Sequence, residues 1–283
     1  MDETKTKAEE PKSEKPAGFD IARMPFMAHV AELRKRLMIV AIAIGSGFGI
    51  CYPFHERLLQ FITDPLIKVL PPGQRLIYTS LPEAFFTYLK VSFLAGLLLS
   101  LPVILYQIWL FVAPGLYKHE RRYAFGFVLA TTVLFLGGAV FGYRMVFPYG
   151  FKFFVGFESE LIQPLPALKQ YISFSMRLLL AFGLVFELPI VIAFLAKMGL
   201  VTDKLLRKNR KWAYLLMFVI GAMFTPPDVV TQILMAMPLM ILFEISIYIA
   251  KVITRKREAA AEAEAKDEEK DEDQEEDEGQ KEA

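Results

Sequence analysis

Apolar positions along this chain do not alternate with polar ones. They run together in six long blocks, at about 37–52, 84–112, 123–147, 171–198, 212–224 and 229–253, separated by short connections rich in charge, proline or glycine. A helix needs about 20 apolar residues to cross a hydrocarbon core roughly 30 Å thick, and five of the blocks approach or exceed that length. Unalternating runs of this kind satisfy their backbone groups inside the bilayer only as helices, not as barrel strands. The pattern therefore predicts an all-α integral membrane protein with six transmembrane helices. The membrane domain covers 24–253, between a charged, flexible tail at 1–23 and an acidic, low-complexity tail at 254–283.

Composition agrees with the pattern, since 54% of the residues are apolar, and charge adds an orientation. Lys and Arg close to span ends accumulate on the cytosolic side. Sixteen such residues border the N-terminus, the connections between spans two and three and between four and five, and the end of span six. Five border the other connections, so both termini are expected in the cytosol. The formal net charge of +1 hides a segregation: 258–283 holds fourteen acids against three lysines, which leaves the preceding residues at +12. That tail reads as solvated and disordered, with helix formers such as Ala and Glu at its start. The first twenty or so residues hold no apolar h-region, so no cleaved signal peptide is expected.

Several polar residues break the apolar pattern. The run at 101–122 ends at Pro114 and Gly115 and opens into Lys118, His119, Glu120, Arg121 and Arg122, where Glu120 is the lone carboxylate and a candidate site for a cationic ligand. Ahead of span one, Phe26, Val30, Leu33 and Leu37 share a helical face, and His29, Glu32 and Arg36 a neighbouring one. Two readings of Glu32 stand side by side: an exposed pair with Arg36 worth about 0.3–0.5 kcal/mol, or a ligand-binding acid.

Glu187 lies deep in span four with Pro189 just after it. A charge at helix centre costs about 2.5–3.5 kcal/mol on insertion scales. Glu187 either satisfies the backbone that Pro189 breaks, or it faces a hydrated surface for a partner. Gln107 and Gln232 are weaker polar candidates for the same face. Glu244 is expected to snorkel or to pair with Lys251. Span five is short, which leaves local bilayer thinning and snorkelling of Arg210 and Lys211 as alternatives. Asp228 is placed to cap span six, and Ser80 with Glu83 reads as a capping box opening span two.

Taken in order, HVAELRKRL at 29–37, DPLIKVLP at 64–71, LPVILYQIWLFVAPGLYKHERR at 101–122, FELP at 186–189 and TPPD at 225–228 closely resemble the TatC family, the C subunit of the bacterial twin-arginine protein translocase. The resemblance covers about 26–253. It implies a cup-like, concave six-helix receptor in the bacterial cytoplasmic (inner) membrane that binds twin-arginine signal peptides and exports folded proteins on the proton gradient. It also implies partners, the translocase subunits A and B, and several copies of this chain in one complex. Glu32 and Glu120 match the family's two acids, and Arg34, Phe111 and Pro114 also match positions associated with signal recognition. Arg121 and Arg122 flank the second acid. Each carboxylate can take one guanidinium fork through paired, charge-assisted hydrogen bonds. The resemblance favours a partner-contacting Glu187; Pro65 matches a family position on the outer rim, with a rigid turn as the plain alternative, and Asp228, also on that rim, is explained as well by a helix cap as by contact with cargo.

No P-loop, HExxH or GxSxG motif is present, so neither nucleotide hydrolysis nor a protease is expected, and the chain is read as no enzyme. One cysteine, Cys51, and three scattered histidines give no expected metal or cofactor. Nothing points to nucleic acid. The rival class is a proton-coupled carrier of small solutes using Glu187, although spans one to three and four to six show no internal repeat.

Overall fold

The computed structural model describes residues 23–112, 124–159, 163–224 and 229–282. Among them ten α-helices follow one another: α1 (Arg23–Cys51), α2 (His55–Ile67), α3 (Glu83–Val112), α4 (Ala124–Phe141), α5 (Phe147–Val155), α6 (Leu168–Phe186), α7 (Leu188–Lys197), α8 (Asp203–Lys208), α9 (Arg210–Phe224) and α10 (Val229–Glu282). Five continuous helical stretches are long and apolar enough to cross a membrane, namely Val30–Ile67, Glu83–Phe111, Phe125–Val155, Leu168–Lys197 and Gln232–Ala259. The remaining block is α9, whose 15 residues rise about 22 Å.

α1 packs on α3 at one edge of the bundle and is otherwise largely exposed, with Leu37 and Ile42 each 65% accessible. α3 continues the bundle through α4 and α6, α7 leans on α10, and α10 carries α9. The core is centred on α6 and α10, where Ile172, Phe182, Leu178, Met235 and Leu239 are all but inaccessible. Small residues let two helices meet closely. At the α1–α3 crossing a side chain on Gly47 would run into the Gly96 carbonyl and the Ser100 hydroxyl. Ser100 Oγ meanwhile donates to the carbonyls of Ala43 at 2.7 Å and Gly96 at 2.8 Å, tying the two helices together.

The connections leading into α3 and α6 are joined by backbone pairing. Ile77 and Ala167 form an isolated parallel bridge, and Leu168 N–H reaches the Ile77 carbonyl at 2.7 Å. Glu83 does more than open its own helix. Its carboxylate accepts the Thr79 N–H at 2.9 Å and, across the fold, the Lys169 N–H at 2.8 Å, so one buried acid caps the starts of both α3 and α6. Glu83→Ala is expected to lower the thermal unfolding midpoint in detergent by several degrees, whereas removal of the exposed Glu56 leaves it in place.

The segment before span one runs without a break into the span, as α1 from Arg23 to Cys51. Two sequence expectations change. Pro65 lies inside α2 rather than in a turn. The acidic tail, expected to be disordered, continues α10 as helix to Glu282, about 80 Å in all, since no proline follows Pro238 and Ala and Glu favour helix.

Candidate functional site

Glu32 and Arg36 lie one turn apart on α1, a spacing that sets side chains on one helical face. They form an ion pair, and Arg36 Nη1 also donates to Gln107 Oε1 on α3 at 3.4 Å. The acid is therefore no isolated surface charge. It belongs to a half-buried polar cluster that bridges the C-terminal end of α3 and the N-terminal part of α1. This placement takes Gln107 away from Glu187, with which the sequence grouped it. A residue in an unbrokenly apolar helix carries no sign of which neighbour it faces. Arg34 stands exposed on the same turn, and Phe111 is half-buried at the last turn of α3, next to the cluster's end of the bundle. Pro114, Glu120, Arg121 and Arg122, like Asp228, lie outside the described residues.

Glu187 sits at the joint between α6 and α7. Pro189 has no N–H to give. The carbonyl left without that donor is Val185's; Glu187 N–H turns back to the Leu184 carbonyl at 3.1 Å, and Ile190 N–H and Val191 N–H open α7 on the Glu187 carbonyl at 3.0 and 2.9 Å. The Glu187 side chain is buried, yet Oε1 has no hydrogen-bond partner among the described residues. The hydrogen bonds at the joint run between main-chain groups, and the carboxylate takes no part in them. Gln232 is turned elsewhere, donating to the Phe218 carbonyl on α9 at 3.0 Å.

Glu244 departs from its expected partner. It pairs with Arg210 on α9 and accepts from Tyr214 Oη at 2.5 Å, so it pins the short α9 to α10. Lys251, seven residues along α10, is not needed. At the end of α7, Gly199 adopts a left-handed conformation (φ 78°), and the Arg257 guanidinium occupies the space its side chain would fill.

Two charges that sequence reasoning passed over lie inside spans. Lys90 is seven residues into α3 and Arg177 nine residues into α6; both are exposed. Because Glu83 joins the two helix starts, these cations stand at similar depth, about 10–14 Å inward. The signal was available as the one charge of span two and, in span four, as a charge beside Glu187 and Lys197.

Taken together, long and broken apolar helices, small-residue crossings and a few placed polar groups define a polytopic α-helical membrane protein without a catalytic constellation among the described residues. Residues 28–238 match the family of Sec-independent protein translocase proteins, TatC. A Sec-independent protein translocase protein TatC from Desulforapulum autotrophicum is 53% identical over 84% of this chain and 88% of its own length. Its counterpart from Escherichia coli K12 is 41% identical over 80% and 88%. A crystal structure of the twin-arginine translocase receptor TatC superposes with a TM-score of 0.72 at 42% identity, covering 80% of this chain and 99% of that one. The chain belongs to the TatC family.

Proposed function

We propose that this chain is the receptor and core subunit of a twin-arginine translocase. In this reading it sits in the bacterial cytoplasmic membrane with both termini in the cytosol and six crossings, α9 thinning the bilayer locally. It binds twin-arginine signal peptides and, with subunits A and B and further copies of itself, exports folded proteins on the proton gradient. Family membership leaves the solute-carrier alternative without support.

The observation that carries the reading is the Glu32–Arg36–Gln107 cluster. Glu32 already holds one guanidinium, which is the chemistry an incoming arginine would present. A signal arginine can take the place of Arg36, while Gln107 keeps the displaced side chain partnered. Glu120, placed by sequence in the following connection, takes the second arginine, flanked by Arg121 and Arg122, with Phe111, Pro114 and Arg34 around it.

Site-specific crosslinking of a twin-arginine peptide to the wild type, Glu32→Ala, Glu120→Ala and the double variant tests this. Each single change is expected to reduce crosslinking and the double change to abolish it; a double variant that crosslinks like the wild type ends the proposal.

A further inference from the structure

The other end of the bundle holds a cleft that the receptor role does not use. It lies between α2 and the turn joining α4 to α5, with a volume of about 590 Å³. Its position relative to Glu32 follows from α1 itself, since Glu32 to Cys51 rises about 30 Å, the thickness of the hydrocarbon core. The cleft therefore belongs at the opposite membrane face.

Arg57, Lys68 and Arg144 line it against a single carboxylate, Asp64. Lys68 Nζ takes that carboxylate at 2.5 Å. Arg57 and Arg144, both exposed, have no ion-pair partner among the described residues.

The placement of Arg144 is built into the backbone. Residues Gly142–Val146 form a single π-helical turn, a feature that often re-aims side chains at functional positions. Pro65 supplies no N–H to the carbonyl of Phe61 four residues earlier. Tyr143 Oη donates to that carbonyl at 2.6 Å, and its ring stacks on Phe61 at 4.5 Å and 9°. The turn is thereby locked to α2, and Arg144 is held at the cleft next to the locked tyrosine.

We propose that this cleft binds the headgroup of an anionic phospholipid. Two guanidinium forks suit a phosphodiester, which each can engage through paired hydrogen bonds. A lipid fits better than a free anion because the surroundings are apolar as well as cationic: Phe61 is 62% exposed, Met145 49% and Tyr149 61%, which offers acyl chains a surface beside the charged cleft. Zwitterionic lipids are disfavoured, since their ammonium group would face Arg57 or Arg144.

The test uses the full chain in detergent. Native mass spectrometry counts bound phosphatidylglycerol or phosphatidylcholine of matched acyl length on the wild type, Arg57→Gln, Arg144→Gln, the double variant and Lys152→Gln, with circular dichroism and thermal melts to verify folding. The wild type is expected to hold one phosphatidylglycerol in preference to phosphatidylcholine. The double variant should lose it by at least about tenfold, as two basic groups at an anionic lipid surface carry together. Lys152→Gln, outside the cleft, should retain it, and millimolar inorganic phosphate should not displace it.

Equal binding of the two lipids by the wild type overturns the proposal, and that comparison needs no variant. So does retention by the double variant, an equal loss in Lys152→Gln, or displacement by phosphate, which would mark a free-anion site. None of these readings involves a signal peptide, so the lipid site and the receptor role stand or fall separately.

Discussion

Gly96→Leu should detach α1 from the bundle and cost about 3 kcal/mol or more, the top of the range for overpacking a filled interface. A side chain on Gly96 would meet the backbone of Gly47 and Phe48, and backbone cannot rotate aside as a side-chain end can. Relief requires the two helices to move apart. That motion would also stretch the Ser100 bonds to Ala43 and Gly96 and pull Arg36 away from Gln107, the contacts that hold α1 in place. Because α1 rests mainly on α3, no other packing compensates.

Thermal unfolding in detergent measures the loss, and the single cysteine gives a local readout. Cys51, partly buried at the end of α1, should react faster with a maleimide in the variant. Gly45→Leu is the control: nothing lies within 4 Å of its added carbon, so it should be neutral or gain up to about 1 kcal/mol of helix propensity. An unchanged midpoint and unchanged Cys51 reactivity in Gly96→Leu would show that the crossing is not what holds α1.

Most of the helices were legible from apolar runs, because a membrane span must be long, helical and continuous in hydropathy. The break at Glu187 was legible as well, since a proline cannot donate to the carbonyl four residues back. Contacts between helices were not. Gln107 sits in the uncharged stretch 91–112 of α3, so periodicity gave no direction, and only the packed structure sends it to Arg36. Glu244 had a basic residue on its own helix to suggest a partner, while its true one lies on α9. Glu83 was read as a local cap because the Lys169 amide that it also holds is distant in sequence. Span ends, by contrast, were displaced mainly where helix formers continued past the apolar run, as in α10. The candidate site was legible in its residue types and on one side in its geometry; Glu32 is placed, and Glu120 lies beyond the described residues.

Glu187→Leu is expected to make the protein more stable and to stop it working. A buried polar atom without a partner costs about 1–3 kcal/mol, and Glu187 Oε1 is such an atom. The local backbone gains nothing from the carboxylate, since Ile190 and Val191 bond to the Glu187 main-chain carbonyl, which Leu retains. Replacement by an apolar side chain of similar length should therefore raise the thermal midpoint by an amount corresponding to about 1–3 kcal/mol. A residue that costs stability where it stands is held there by what it does, and the unused oxygen suits a polar partner helix or passing chain. Export of a folded twin-arginine cargo should accordingly fall at least tenfold, with signal-peptide crosslinking at Glu32 unaffected, because the two sites occupy different helices. Glu187→Gln separates charge from shape: a partner that needs only a hydrogen-bond acceptor will tolerate it, and one that needs the carboxylate will not. A lower midpoint combined with normal export in Glu187→Leu would make the acid a structural element of the α6–α7 joint.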